Sequence, residues 1–181
     1  MKHIHSNFNE MIFGKNVLLK RYKLNDVNLL NEFKEVVKNN YDYIFEFANW
    51  DNKLQTEKDF EQYFNSVNTF WENKERAIYA VVERESNKFI GDIKMYDIDN
   101  NEKSAEISVW FSKGVQGKGY ATEAVNLLTQ NFSKKGISSF KARVNVKNIR
   151  SNNLLKKIGF KEINSNMDLF TTIYYKNIKA K

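Results

Sequence analysis

The chain has 181 residues, of which 41% are hydrophobic, and its 14 Phe, 9 Tyr and 3 Trp supply core material that disordered chains lack. Its 29 Lys and Arg outnumber 22 Asp and Glu, giving a formal net charge of +7 that favours an anionic partner without choosing among nucleic acid, a phosphorylated cofactor and an acidic lipid surface. With no cysteine, and with His3 and His5 both in a polar N-terminal stretch, the chain offers no thiolate nucleophile, no disulfide, no cysteine-based metal centre and no histidine triad.

In chain order, a first strand is predicted at residues 16–22 around Val17-Leu18-Leu19. Asn25-Asp26 then offers an N-cap for a helix whose apolar stripe is Val27, Leu30, Phe33 and Val37. The aromatic stretch 41–50 has no clean period and reads as a loop or short helical turn. Thr56 and Asp59 have capping-box spacing, and Phe60, Tyr63, Phe64, Val67 and Trp71 follow at helical intervals. Residues 76–84, 88–97 and 104–111 read as an antiparallel meander. In the third of these strands Ala105, Ile107, Val109 and Phe111 point one way, and Glu106, Ser108 and Trp110 the other. A glycine-rich segment leads into a helix near 119–135 with Ala121, Ala124, Val125, Leu128 and Phe132 as its stripe and Gly136 past its end. A strand at 140–147, a short helix at 148–158 stopped by Gly159, and closing strands at 160–163 and 169–175 complete the chain. The pattern is α+β: one domain, 1–181, with helices laid on a mostly antiparallel sheet.

Three of the seven glycines fall in Gly114-Val115-Gln116-Gly117-Lys118-Gly119-Tyr120-Ala121, between a strand and a helix. Glycine there allows positive φ and close backbone approach, and the N–H groups of a first helical turn attract phosphate. A tight turn that needs glycine only to reverse direction explains three glycines about as well. Tyr120 stands where a P-loop needs Lys, and the preceding meander is not the βαβ unit of a dinucleotide fold.

Gln116-Gly117-Lys118-Gly119-Tyr120-Ala121 reads as Q-x-x-G-x-A and resembles the acetyl-CoA pyrophosphate loop of the GCN5-related N-acetyltransferases (GNAT). The run 116–124, QGKGYATEA, is similar to the RimJ/RimL branch that acetylates ribosomal proteins. Asn148, Ser151 and Gly159-Phe160 agree in position as a second block. The resemblance implies a GNAT-like sheet with splayed central strands, acetyl-CoA as co-substrate, and a primary amine as acceptor, either a protein N-terminus or a small molecule. It assigns the pyrophosphate to Gln116, Gly117, Lys118, Gly119, Tyr120 and Ala121 with Thr122 nearby, and a further cofactor contact to Asn148.

A tyrosine that often serves the family as general acid is replaced by Leu155, so the resemblance points to Ser151 for protonating the thiolate; a first-turn residue bonded to backbone is an equal reading. Glu106 is the best candidate base, against the commoner fate of a solvated strand carboxylate, with Asp168 fainter and Asp92 without distinguishing support. Tyr41, Tyr43, Phe45, Phe47 and Trp50 are either core or the wall of an acceptor pocket, with Glu46 or Asp51 drawing in a cation. Two other readings stand beside the enzyme: a basic nucleic-acid or ribosome-binding module using Phe140-Lys141-Ala142-Arg143, and a catalytically silent acyl-CoA-binding protein. No run is long enough to span a membrane and the first residues lack a signal-peptide core, so a cytoplasmic address is expected; monomer and homodimer both stay open.

Overall fold

The computed structural model describes residues 8–47, 54–163 and 170–178. Strands β1 (Met11–Phe13) and β2 (Val17–Arg21) precede helices α1 (Val27–Asn39), α2 (Tyr41–Phe45) and α3 (Glu57–Glu72). The meander β3 (Ala77–Glu83), β4 (Lys88–Asp99) and β5 (Ser104–Phe111) leads through a 3-10 turn (Lys113–Val115) to α4 (Tyr120–Ser133). Strand β6 (Ser139–Asn145), helix α5 (Ile149–Lys157) and strands β7 (Lys161–Ile163) and β8 (Thr171–Asn177) follow. The eight strands form one sheet in the order β1-β2-β3-β4-β5-β6-β8-β7, and among the described residues only β5 and β6 pair in parallel.

Helices cover both faces of this sheet, which explains the unbroken apolar run of β3. Its Ala77, Tyr79 and Val81 enter a cluster with Ala124, Val125 and Leu128 of α4 and Leu155 of α5. Its Ile78, Ala80 and Val82 enter a second cluster with Phe33 of α1 and Phe60, Phe64 and Val67 of α3. Side chains alternate across a strand, so only a strand covered on both sides can be apolar at every position.

Most predicted elements form where the pattern put them, with two instructive differences, in the α1 stripe and at β1. The α1 stripe is Leu29, Phe33 and Val37, whereas Val27 is 60% exposed: it is the first residue after the Asp26 cap, rotated away from the sheet. Of the two readings of the aromatic stretch, residues 41–45 take the helical turn, anchored by buried Ile44. Strand β1, with only Ile12 buried, is too short to leave a period in the sequence. Thr56 and Asp59 do form the reciprocal capping box, each side chain meeting the other's backbone N–H.

The central opening of the sheet has a definite apex. Strands β5 and β6 pair only through Ser104↔Ser139, Ala105↔Phe140 and Glu106↔Lys141. Beyond this, residues 107–111 stay paired to β4 and residues 142–145 to β8, but not to each other. The two inward edges diverge as a fork.

On the α1/α3 face, Asp92 of β4 is fully buried, and Oδ2 accepts from Tyr22 Oη at 3.0 Å and Tyr63 Oη at 3.3 Å. Burial pushes its carboxyl up to about 6, against the pull of Lys94 and the two phenols. A folded-state value above the unfolded one means that stability is fully present below the unfolded pKa and is lost as pH rises through the folded value. From about 4 to about 6, this one group should remove on the order of 3 kcal/mol. Asp92→Asn is expected to flatten that part of the stability–pH curve, measured by urea unfolding at pH 4.5 and 7.5. A variant with the same pH dependence as the parent would show that Asp92 ionises freely.

Candidate active site

The fork and the loop at its mouth bring most of the predicted site residues together. After β5 the chain makes its 3-10 turn and passes through Gly117 (φ 79°) and Gly119 (φ 83°), both in left-handed conformations that disfavour a side chain. A Cβ built on Gly114, Gly117 or Gly119 would meet no protein atom within 4 Å, so these glycines serve open space beside the loop, and not tight packing.

Gly119 is the N-cap of α4 and supplies no side-chain cap, while α1, α3 and α5 are capped by Asp26, Thr56 and Asn148. The first-turn N–H groups of α4, which include Ala121 and Thr122, therefore gain no partner from the N-cap residue and suit an anion reinforced by the helix dipole. The acidic residue in this turn, Glu123, is turned away: it accepts from Asn16 N and Asn16 Nδ2, each at 2.8 Å, tying α4 to the β1–β2 hairpin. These hydrogen bonds hold its carboxyl below its ordinary value despite partial burial. Lys118 is largely exposed, its Nζ 3.9 Å from Glu83 and 5.7 Å above the Tyr120 ring. The Tyr120 phenol donates to Glu83, and that bond pushes its pKa up to about 12.

Glu106 lies at the apex of the fork, 2% exposed. Oε1 accepts from Tyr96 Oη at 2.7 Å, and Oε2 lies 3.1 Å from Arg143 Nη2 and 3.6 Å from Lys141 Nζ. Neither cation is aligned as a hydrogen bond to Oε2, so this buried oxygen keeps its accepting capacity. Burial and the bond to Glu106 push the Tyr96 phenol up, which keeps it a donor. The expected alternation of β5 is present, but Glu106 is an ion-paired buried carboxylate, not a solvated one.

Across the fork, Asn148 caps α5 by accepting from Ser151 N at 3.1 Å. Ser151 thus sits in the first turn of α5, as either of its readings requires. Leu155 is buried in the apolar cluster beneath α4 and α5, far from acting as a polar substitute for tyrosine. Asp168, Trp50 and Asp51 lie outside the described residues.

Sequence reasoning missed several of the contacts that shape the site. Tyr43 Oη accepts from Gln116 Nε2 at 2.5 Å, and Asn40 Oδ1 accepts from Lys113 N at 2.9 Å, so the α1–α2 junction grips the loop. The aromatic stretch is divided: Ile44 enters the core, Tyr41 stacks on Phe45, and Tyr43 turns to the loop. Asn152 is buried, donating to Asn145 O at 3.0 Å and Asn148 O at 2.8 Å while accepting from Tyr174 Oη at 2.8 Å. The alternation of the strand around Lys141 could have placed Arg143 on the Glu106 face; no local period could have placed Tyr43. Among the described residues, no three His, Cys, Asp or Glu side chains gather to hold a metal ion, and no helix is long and apolar enough to cross a membrane.

Known folds share this geometry. RimL, a ribosomal alpha-N-protein acetyltransferase in complex with coenzyme A, superposes with a TM-score of 0.84 at 16% identity, covering 95% of this chain and 100% of that one. The microcin self-immunity acetyltransferase MccE, in complex with acetyl-CoA and AMP, gives 0.79 at 21% identity over 91% and 94%. RimJ of Mycobacterium smegmatis, in complex with a CoA disulfide, gives 0.75 at 15% identity over 89% and 81%. No curated protein matches the sequence. A family model described as an acetyltransferase (GNAT) domain matches residues 16–161, which include the fork, the glycine loop and both blocks of sequence that pointed to them; the chain belongs to the GNAT acetyltransferase family.

Proposed function

We propose that this acetyltransferase moves an acetyl group from acetyl-CoA to a primary amine, a protein N-terminal α-amine or a small-molecule amine, by direct attack on the thioester. The observation that carries this reading is the juxtaposition of two unpaired strand edges with an uncapped, glycine-entered helix end at their mouth. An extended chain fits between such edges by adding main-chain hydrogen bonds, and a diphosphate fits the helix end. Gln116, Gly117, Lys118, Gly119, Tyr120, Ala121 and Thr122 are proposed to hold the diphosphate, chiefly through backbone N–H. A contact from Asn148 falls to its Nδ2, because its oxygen caps α5.

Bound acetyl-CoA supplies an activated acyl thioester. Glu106 is proposed to take the proton that the acceptor ammonium must lose before its nitrogen can attack, directly or through one water, using Oε2. A backbone N–H on the unpaired edge of β5 polarises the acyl carbonyl. As the C–N bond forms and the C–S bond breaks, the nitrogen sheds its second proton, and Ser151 is proposed to relay it, accepting that proton as its own hydroxyl proton passes to the departing thiolate. Acetyl-CoA as co-substrate fits a cytoplasmic reaction. Ribosomal acceptors are suggested by the named activities of RimL, and an antibiotic-like acceptor by that of MccE. The nucleic-acid alternative loses its motif, since Phe140 is fully buried and cannot stack on a base.

Gly119→Ala adds a methyl group toward open space and a left-handed backbone cost of about 1–2 kcal/mol. It is expected to weaken acetyl-CoA binding at least tenfold by calorimetry while the protein stays folded by circular dichroism; unchanged affinity would remove the loop from the cofactor site. Glu106→Gln is expected to lower kcat by about 100-fold with acetyl-CoA affinity within twofold. Retained turnover, in a thiol-release assay with N-terminal peptides, polyamines and aminoglycosides, would reduce Glu106 to a structural ion pair. Ser151→Ala should cut kcat about tenfold with KM values unchanged, and a fully active variant would assign thiolate protonation elsewhere.

A further inference from the structure

We infer that Tyr43 is a positioning residue for the glycine loop, holding it in its phosphate-ready conformation from the opposite face of the sheet. The inference rests on the acetyl-CoA reading of the site. Two contacts, each bridging 73 positions of sequence, join the α1–α2 junction to the loop: Lys113 N donates to Asn40 Oδ1 at 2.9 Å, and Gln116 Nε2 donates to Tyr43 Oη at 2.5 Å. They grip the first residue of the 3-10 turn and the residue just past it, immediately before the left-handed Gly117 and Gly119.

The grip is anchored at its far end. Asn40 is tied to α1 through Nδ2 to Val36 O at 2.8 Å, and its carbonyl accepts Ile44 N at 2.9 Å, opening α2. Ile44, one residue beyond Tyr43, is 3% exposed in the cluster formed with α1 and α3. A short helix with its neighbouring residue locked in the core makes a firm base for a phenol. The same Tyr43 oxygen also lies 3.5 Å from Arg150 Nη1 in the first turn of α5, so a single hydroxyl reaches both lips of the fork.

The physical need for such a device follows from the glycines. Residues 114, 117 and 119 give the loop the conformations that a backbone phosphate cradle requires, and the same freedom must be lost when the cradle closes. Fixing Lys113 and Gln116 beforehand reduces that loss, which strengthens binding without any contact between Tyr43 and the phosphate. In this arrangement the Gln116 side chain serves the loop's shape, and its backbone serves the ligand.

The test is a double-variant cycle with Tyr43→Phe and Gln116→Ala, reading acetyl-CoA affinity by calorimetry, steady-state kinetics and thermal midpoint. Loss of one neutral hydrogen bond corresponds to roughly a two- to tenfold effect. Tyr43→Phe is expected to raise the Kd and KM for acetyl-CoA by about fivefold, with saturating kcat and the KM for the amine unchanged and the thermal midpoint held. The double variant should bind no more weakly than the weaker single variant. Unchanged cofactor affinity in Tyr43→Phe, additive penalties, or a fall in kcat and midpoint together would each overturn the inference. If the parent protein itself bound no acetyl-CoA, the cofactor reading would fail first, an outcome separate from a parent that binds and a Tyr43→Phe variant that binds equally well.

Discussion

The end of the β5–β6 ladder at Glu106 and Lys141 is the constraint from which the rest of the molecule follows. Three parallel pairs hold the two halves of the sheet together, and beyond them each strand follows its outer neighbour, β4 or β8, leaving the two inner edges unpaired with each other. At this apex sits a buried carboxylate with Tyr96, Lys141 and Arg143 around it. A buried ion pair of this kind contributes little net stability, since desolvation offsets most of the attraction. Its value lies in place: a carboxylate partnered from β4 and β6 cannot be slid by one residue without turning Glu106 into an apolar cluster. The register that protects the carboxylate also sets where the slot begins.

From that slot the direction of the chain does the remaining work. Strand β5 ends beside the mouth, and the helix that must return across the sheet starts there with its N–H groups pointing back. The other long helices close their N-termini with Asp26, Thr56 and Asn148, so the bare end of α4 departs from the pattern of α1, α3 and α5. Glu123, which in an ordinary helix would itself complement the dipole, is engaged by Asn16. Glu123 thus ties the fold together from the same turn whose first N–H groups gain no partner from the N-cap residue.

How much of this was legible depends on whether a feature is local. Left-handed backbone demands glycine at particular positions, so Gly117 and Gly119 mark the loop in any reading of the sequence. The Thr56–Asp59 box and the β5 alternation are likewise written within a few residues. Tyr43 and Gln116 are 73 positions apart, and neither residue type announces the other. Asp92 was visible as a carboxylate in an apolar strand, but its role needed the register that sets it opposite Trp110 and beneath Tyr22 and Tyr63. The α1 stripe was displaced because Val27 and Leu30 fit a helical period as well as Leu29 does; only the sheet beneath decides which face is inward.

The same distinction explains why the cofactor half of the reaction is more transparent than the acceptor half. Backbone shape survives extensive replacement of side chains, as structures of 15 to 21% identity with TM-scores of 0.75 to 0.84 illustrate, and the main-chain N–H groups of a helix end suit a diphosphate by shape alone. The side chains over the open face of the sheet come from β4, β5, β6 and the helices packed over them, where no spacing rule links one contributor to the next. Glu106, Tyr96, Lys141 and Arg143 meet only because three strands are in a particular register. On the proposed reading, acceptor specificity would belong to the sheet face as a whole and could change with no change in the proposed donor loop.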